Sequence, residues 1–237
     1  RSFHVTGVQT CALPISGHPV IFGPWPFVTD LRTGSFSGGS GEEALMSAAS
    51  AQITNHYGLA SSVGAGMTDS KSPDAQAGYE KGITVVMAAL AGCNNVSESS
   101  GMMASLMGYS YESLVIDNEM LGMVMRTVRG IEVNEETLSY RAIKDTVEGE
   151  GHFLRDPQTL ALMKTEYLYP TLADRSTQEE WEAEGSPDMR QRAEKRAREI
   201  LNSHYPVYID DATDNKVRDT FPIEISRNVI KPTKARF

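Results

Sequence analysis

The chain has 237 residues, with 31 acidic against 22 basic side chains and a net charge of −9, and its pI lies near 5.1. That balance argues against a nucleic-acid partner, and no stretch approaches the ~18 consecutive apolar residues of a membrane span. Residues 1–15 read as foreign to the gene. Val5-Thr6-Gly7-Val8-Gln9-Thr10-Cys11-Ala12-Leu13-Pro14-Ile15 matches the in-frame translation of a common sequencing-library adapter, so this segment is set aside from the fold. Cys11 leaves with it, and Cys93 alone offers neither an intrachain disulfide nor a cysteine-based metal site.

From residue 16 the pattern is regular. Val20-Ile21-Phe22-Gly23 predicts a buried strand, followed by a long loop from Pro24 to Gly41. Ser40 and Glu43 fit a capping box opening a helix to about Tyr57, closed by Gly58, with Ala44, Leu45, Ala48, Ala49, Gln52 and Ile53 as its apolar stripe. Leu59 to Ala65 is small and apolar, as a strand covered on both faces would be. Ser72 as N-cap and Pro73 at the first helical position then predict a helix to Ala91, with Tyr79, Ile83, Val86, Met87 and Leu90 facing inward. A third strand, Asn94 to Ser97, delivers Glu98 and Ser99 to its carboxyl end. The next helix starts after Ser110, shows Leu114, Leu121, Val124, Met125 and Val128 on one side, and stops at Gly130.

Strand and amphipathic helix alternate as parallel βαβ units do, but three units do not separate a barrel from an open sheet. Beyond Gly130 the pattern turns helical: Glu135 to about Glu148, Gln158 to about Tyr169, and Pro187 to about His204 capped by Ser186. Arg190, Arg192, Lys195, Arg196 and Arg198 are interleaved with Glu194 and Glu199, which reads as a solvated helix face. The tail after Tyr205 shows little periodicity. His56, His152 and His204 lack metal-ligand spacing, so no metal site is expected. The glycine-rich loop Ser37-Gly38-Gly39-Ser40-Gly41-Glu42 lacks the Lys-Ser/Thr of a phosphate-binding loop; a tight turn is its default, and an anion held on its amides the alternative.

The most informative stretch is Gly66-Met67-Thr68-Asp69-Ser70-Lys71-Ser72-Pro73-Asp74-Ala75-Gln76-Ala77-Gly78-Tyr79-Glu80-Lys81-Gly82. Its polar cluster lies where a strand hands over to a helix, and in α/β folds that carboxyl end is where ligands bind. Together with Ala88-Ala89-Leu90-Ala91-Gly92-Cys93-Asn94, Glu98-Ser99-Ser100-Gly101-Met102 and Leu114-Val115-Ile116-Asp117-Asn118-Glu119-Met120, this stretch resembles the trimethylamine methyltransferase family of corrinoid-dependent methyltransferases. The resemblance resumes at His152-Phe153-Leu154, Pro157-Gln158-Thr159-Leu160 and Trp181-Glu182-Ala183, and looks like the C-terminal half of a family member.

The resemblance implies the last three βα units of a (β/α)8 TIM barrel over residues 16–130, with a helical extension and tail over 131–237. It implies an enzyme that moves a methyl group from an amine to the Co(I) of a corrinoid-binding partner protein, binding no cofactor tightly itself, cytoplasmic, and homo-oligomeric at full length. Members acting on trimethylamine carry pyrrolysine just before the Thr/Ser-Asp-Ser/Ala-Lys motif, where this chain has Met67. A quaternary ammonium already has a neutral leaving group, so this departure favours a betaine-type substrate over trimethylamine.

Such a cation has no proton to donate and is recognised by aromatic faces and negative charge. Asp69 and Glu98 are the acidic candidates, with Met67 as the third catalytic-site position. Trp25 and Phe27 are the aromatic ones, and Lys71 and Gln76 complete the substrate-binding set. Against cap-and-turn roles for Asp69 and Ser70 stands the presence of two charged groups where a cap needs one. A hydrophobic lid is the plain alternative for Trp25 and Phe27. The rival functions are a tertiary-amine methyltransferase and, in another class, a non-catalytic protein that binds quaternary amines.

Overall fold

The computed structural model describes residues 19–149 and 151–227; the adapter-like segment 1–15 lies outside the described residues. The chain divides between Arg175 and Ser176 into two compact units.

The first unit is a mixed α/β arrangement on a parallel sheet. Strand β1 (Ile21–Phe22) leads into an antiparallel hairpin of β2 (Val28–Thr29) and β3 (Phe36–Ser37), then helix α1 (Gly41–His56), strand β4 (Ala60–Gly64), helix α2 (Ala75–Leu90) and strand β5 (Asn95–Ser97). A second hairpin, β6 (Met102–Met103) with β7 (Gly108–Tyr109), precedes helix α3 (Tyr111–Arg129). The parallel sheet has the order β1-β4-β5, with Phe22 opposite Ser61 and Gly64 opposite Ser97. Each strand lies beside the next in sequence, as successive βα units require.

β4 is buried from Ser61 to Gly64, as its small apolar composition predicts for a strand covered on both faces. Val63 and Ala65 join Val85 and Ala88 of α2 and Val124 of α3 in one core, with Val96, Met120 and Leu121 packed against it. Each buried valine side chain contributes about 1.5–3 kcal/mol relative to exposure.

The helix faces depart from the sequence pattern. On α2 the inward residues are Ala77, Glu80, Lys81, Thr84, Val85 and Ala88. Tyr79, Ile83, Met87 and Leu90 are exposed instead, Tyr79 by 65%. On α1, Ala44 and Ala48 are buried as expected, joined by Glu43, Ser47, Ala51 and Thr54, whereas Leu45 and Ile53 face outward. The cause is close helix approach: α1 packs directly on α2, and alanine, serine and threonine admit a separation that leucine and tyrosine would block. α2 also starts later than predicted. Asp74, not Ser72, is the N-cap, accepting from the Ala77 N–H, while Ser70 Oγ donates to the Asp74 carboxylate at 2.9 Å.

α3 has the ends its sequence dictates. Ser110 accepts from Ser113 N–H at one end, and Gly130 (φ 71°) closes the other. Val124 is buried, but Met125 and Val128 are exposed. Glu119 of α3 receives three successive backbone N–H groups, Thr171 at 2.6 Å, Leu172 at 2.8 Å and Ala173 at 2.7 Å. Burial pushes its carboxyl up, and those donors outweigh it and hold the group below its ordinary value. α4 (Tyr140–Glu148) is shorter than predicted because Asn134 Oδ1 accepts from the N–H groups of Glu136 and Thr137, forming a separate turn. α5 (Pro157–Leu162) begins on the Asp156 cap and ends well before Tyr169.

In the second unit, α6 (Gln178–Ala183) and α7 (Met189–Ser203) each open on a capping box, Thr177 with Glu180 and Asp188 with Gln191. Ser186, predicted as a cap, instead sits in a left-handed turn at φ 53°. The basic residues of α7 meet its acidic ones, Arg198 on Glu194 at 2.9 Å and Arg196 on Glu199 at 3.2 Å, all solvent-facing. α8 (Asp211–Thr220) lies in the tail that showed little periodicity; its Asp210 cap is the signal available. No helix among the described residues is long and apolar enough to cross a membrane.

Candidate functional site

The loops that follow β1, β4 and β5 leave the same edge of the sheet. Two of them pack backbone to backbone. Gly66, at φ 83°, places its Cα so that an added Cβ would stand 2.7 Å from Ser99 Cα. Only glycine takes that conformation and that approach together.

Asp69 is half-buried, and its carboxylate is fully engaged. Ser37 Oγ donates to Oδ2 at 2.5 Å; Gly38 N–H and Ser105 Oγ donate to Oδ1 at 2.9 and 2.6 Å. The glycine-rich loop thus lends the Gly38 amide to the chain's own Asp69 carboxylate. Through it the β2–β3 hairpin, the β4–α2 loop and the turn before β7 are tied at one point. Lys71, exposed, donates from Nζ to the Asp69 carbonyl at 2.6 Å.

Beneath this latch lies Glu80, a buried acid that sequence reasoning passed over. It accepts from Thr68 Oγ1 at 2.6 Å, from Asp69 N–H at 2.8 Å and from Gln76 Nε2 at 2.9 Å. Gln76, a predicted binding residue, thus spends its amide on Glu80. The available signal was the run Ala77, Glu80, Lys81, Thr84, Ala88, small or polar at helical spacing. A Cβ on Gly39 would fall inside the Glu80 carboxylate, and one on Gly38 would stand 3.1 Å from Met67 Cβ. The Gly38-Gly39 pair exists because Met67 and Glu80 press against it.

Met67 is wholly buried. It reaches toward Trp25: a Cβ on Gly64 would lie 3.4 Å from Met67 Cε and 3.5 Å from the indole ring. Trp25 meets Phe27 edge-on at 6.4 Å between ring centroids, and Phe27 meets Phe36 at 4.9 Å. Trp25 and Phe27 are partly exposed, by 37% and 51%. Phe36 is a third aromatic, placed by the hairpin register of Thr29 opposite Phe36. The Asp30–Gly34 turn of that hairpin, with Arg32 Nη2 donating to Asp30 at 2.6 Å, was readable in Val28-Thr29-Asp30-Leu31-Arg32-Thr33-Gly34. Glu98 follows β5 in a left-handed conformation (φ 63°), exposed and apart from the bonds that hold Asp69.

The remaining acid is Glu43 of α1. It is wholly buried, with Oε1 accepting from Ser47 Oγ at 2.9 Å and Oε2 without a partner. Burial, and secondarily the negative charge of Asp69, push its carboxyl up to about 7 against the opposing Ser47 hydrogen bond. Among the described residues no group of His, Cys, Asp and Glu is arranged to hold a metal ion.

A parallel α/β sheet with loops gathered at the carboxyl ends of its strands, around buried acids and an aromatic row, is the arrangement in which α/β proteins place their small-molecule sites. The trimethylamine methyltransferase (MTTB) profile matches residues 6–223, and the chain belongs to this family. It is 39% identical over 202 residues to a glycine betaine methyltransferase of Desulfitobacterium hafniense (strain Y51), covering 85% of this chain and 42% of that protein. It is 38% identical over 206 residues to the trimethylamine methyltransferase MttB of Methanosarcina thermophila, covering 87% and 42%. A trimethylamine methyltransferase MttB of D. hafniense (strain DSM 10664 / DCB-2) is 37% identical over 194 residues, covering 82% and 38%. The chain spans about two-fifths of the length of these relatives.

Proposed function

We propose that the chain contributes to an enzyme that transfers a methyl group from a betaine-type quaternary amine to a corrinoid protein, and that its three parallel βα units are the last three of a (β/α)8 barrel. The consecutive strand order β1-β4-β5 supports the barrel, since it shows no reversal of the kind that opens a doubly wound sheet.

The observation that carries the substrate reading is Met67. At the position where the family's trimethylamine enzymes place pyrrolysine stands a buried thioether that shares the neighbourhood of Gly64 with Trp25. It offers no amine or imine to activate a tertiary amine, so the leaving group must already be good. The acceptor, Co(I) on a partner protein, supplies the electron pair for the new bond to carbon, and the nitrogen keeps the pair of the broken C–N bond.

This chain's residues then hold and orient the cation and exclude water. Trp25, Phe27 and Phe36 offer aromatic faces, each contact worth about 0.5–2 kcal/mol. Asp69 serves by charge. Its three donors engage both oxygens without removing its charge, and a quaternary ammonium asks for no hydrogen bond. Lys71 and Gln76 act through Asp69 and Glu80, while Glu98 offers a further exposed carboxylate from the neighbouring loop.

The test is methyl transfer by the full-length gene product to its Co(I) corrinoid protein, followed in the visible spectrum, with glycine betaine, carnitine and trimethylamine in parallel. Turnover with a quaternary amine and none with trimethylamine is expected. The reverse preference would transfer the protein to the tertiary-amine class. Binding without transfer to any corrinoid acceptor would make it a binding protein.

A further inference from the structure

We infer that Glu43 is a proton-linked acid of this site, neutral while no cation is bound and ionised when a quaternary ammonium ion occupies the site. The inference rests on the cationic-substrate reading and adds a residue and a coupling to it.

Asp69 and Glu80 meet the Gly38-Gly39 pair, Glu43 lies in the first turn of the helix that follows it, and the three acids are treated differently. Asp69 and Glu80 each accept three hydrogen bonds, with both oxygens engaged. Glu43 is the most deeply buried of the three but has one donor, and Oε2 has none. That donor is itself shared. The single hydroxyl proton of Ser47 faces two acceptors, Glu43 Oε1 at 2.9 Å and the Gly64 carbonyl at 3.2 Å.

With Glu43 ionised, one of those acceptors goes without. With Glu43 protonated at Oε1, its O–H donates to Ser47 Oγ and Ser47 donates to Gly64, so both are served. The hydrogen-bond geometry therefore favours the acid. A buried carboxylate needs a partner of opposite sign, and among the described residues of β4, α2 and the loop between them no cation pairs with Glu43. β4 has no titratable side chain. α2 presents Glu80, satisfied, and Lys81, held by Asp117. The β4–α2 loop presents Asp69, Lys71 and Asp74: Lys71 is exposed and bonded to a carbonyl, and Asp74 caps α2.

Asp69 lies close enough that its charge raises the Glu43 carboxyl further. A cation drawn to Asp69 reverses that influence. Its arrival favours the Glu43 carboxylate, and the Oε1 proton leaves to solvent. Binding and proton release are then one linked event.

The experiment is calorimetric titration of the full-length protein with glycine betaine from pH 5.5 to 8.5, in buffers of differing ionisation enthalpy, for the native protein and Glu43→Gln. A difference infrared spectrum checks the protonated carboxyl at pH 6. The glutamine side chain keeps the size and neutral state of the acid, and a melt verifies that the variant folds. The native protein should release close to one proton per betaine below pH 7, with affinity rising about tenfold per pH unit there and levelling above. E43Q should release none, bind with no such slope, and lack the infrared band. Betaine binding by the native protein without proton release, or equal release from E43Q, would overturn the inference and leave the functional reading standing. Absence of binding by glycine betaine and carnitine, with the band present, would overturn the functional reading and the linkage with it.

Discussion

Two acids buried in the same unit, Asp117 and Glu43, are handled in opposite ways. Asp117 Oδ2 receives Lys81 Nζ at 2.5 Å, the Gly101 N–H at 2.7 Å and Ser113 Oγ at 3.1 Å, and Lys81 also donates to Ser113. It joins α2, α3 and the loop after β5 with its charge cancelled on the spot. Glu43, at the sheet edge where the loops gather, has a single shared donor and an open oxygen. The lesson is that burial alone does not mark a functional acid. A buried charge with a complete set of partners holds elements together, and one with an incomplete set keeps a free interaction for something that arrives later.

That contrast is easiest to break at the paired end. Lys81→Met strands Asp117 without its counter-charge and should cost about 3–5 kcal/mol, measured by urea denaturation of the full-length protein. A loss below about 1 kcal/mol would mean that Gly101 and Ser113 suffice. Lys81→Met with Asp117→Leu should recover much of the deficit.

The effect at Glu43 should be somewhat smaller and should depend on pH. Its carboxyl rises from 4.5 to about 7 on folding, so between those values the folded chain holds a proton that the unfolded chain has released. Stability from this group is therefore greatest below about pH 4.5 and falls as pH climbs toward 7, by up to about 3 kcal/mol. The E43Q protein has no such slope. Melts should place native and E43Q proteins close together at pH 4.5 and E43Q ahead at pH 8; parallel curves across that range would show that Glu43 is ionised throughout.

Asp69→Asn sharpens the comparison from the third corner of the site. Asparagine brings one acceptor oxygen and an NH2 group to a place where three donors converge, at a cost of about 2 kcal/mol. Amide exchange at Gly38 should quicken as the hairpin latch loosens. In the methyl-transfer assay KM should rise with kcat little changed, because the substrate's charge is present before transfer and falls as the amine leaves. Unchanged exchange and kinetics would reduce Asp69 to a turn residue.

The smallest effect belongs to the second unit, where charges pair in water. Glu194→Ala removes the partner of Arg198 and should change stability by about 0.5 kcal/mol or less. A larger loss would mean that this helix face is covered in the working protein.

The sequence by itself determined the alternation of strand and helix, the double burial of β4, the ends of α1 and α3 and the family motif from Gly66 to Gly82. These follow from local chemistry: caps such as Ser40 and Ser110, terminating glycines, and hydrophobic runs whose length separates strand from helix. Only the tertiary structure decided which helix faces point inward. Leu45, Ile83 and Leu90 are the stronger hydrophobes, yet close contact between α1 and α2 selected alanine, serine and threonine for the interface. It also decided the wiring of the site. Ser37 and Ser105 reach Asp69 from 32 and 36 residues away in opposite directions along the chain, and Glu43 owes its open oxygen to what surrounds it in space. Pairings of that range leave no periodicity to read. A buried acid is defined by the donors that fold around it, and those are set only when distant segments meet.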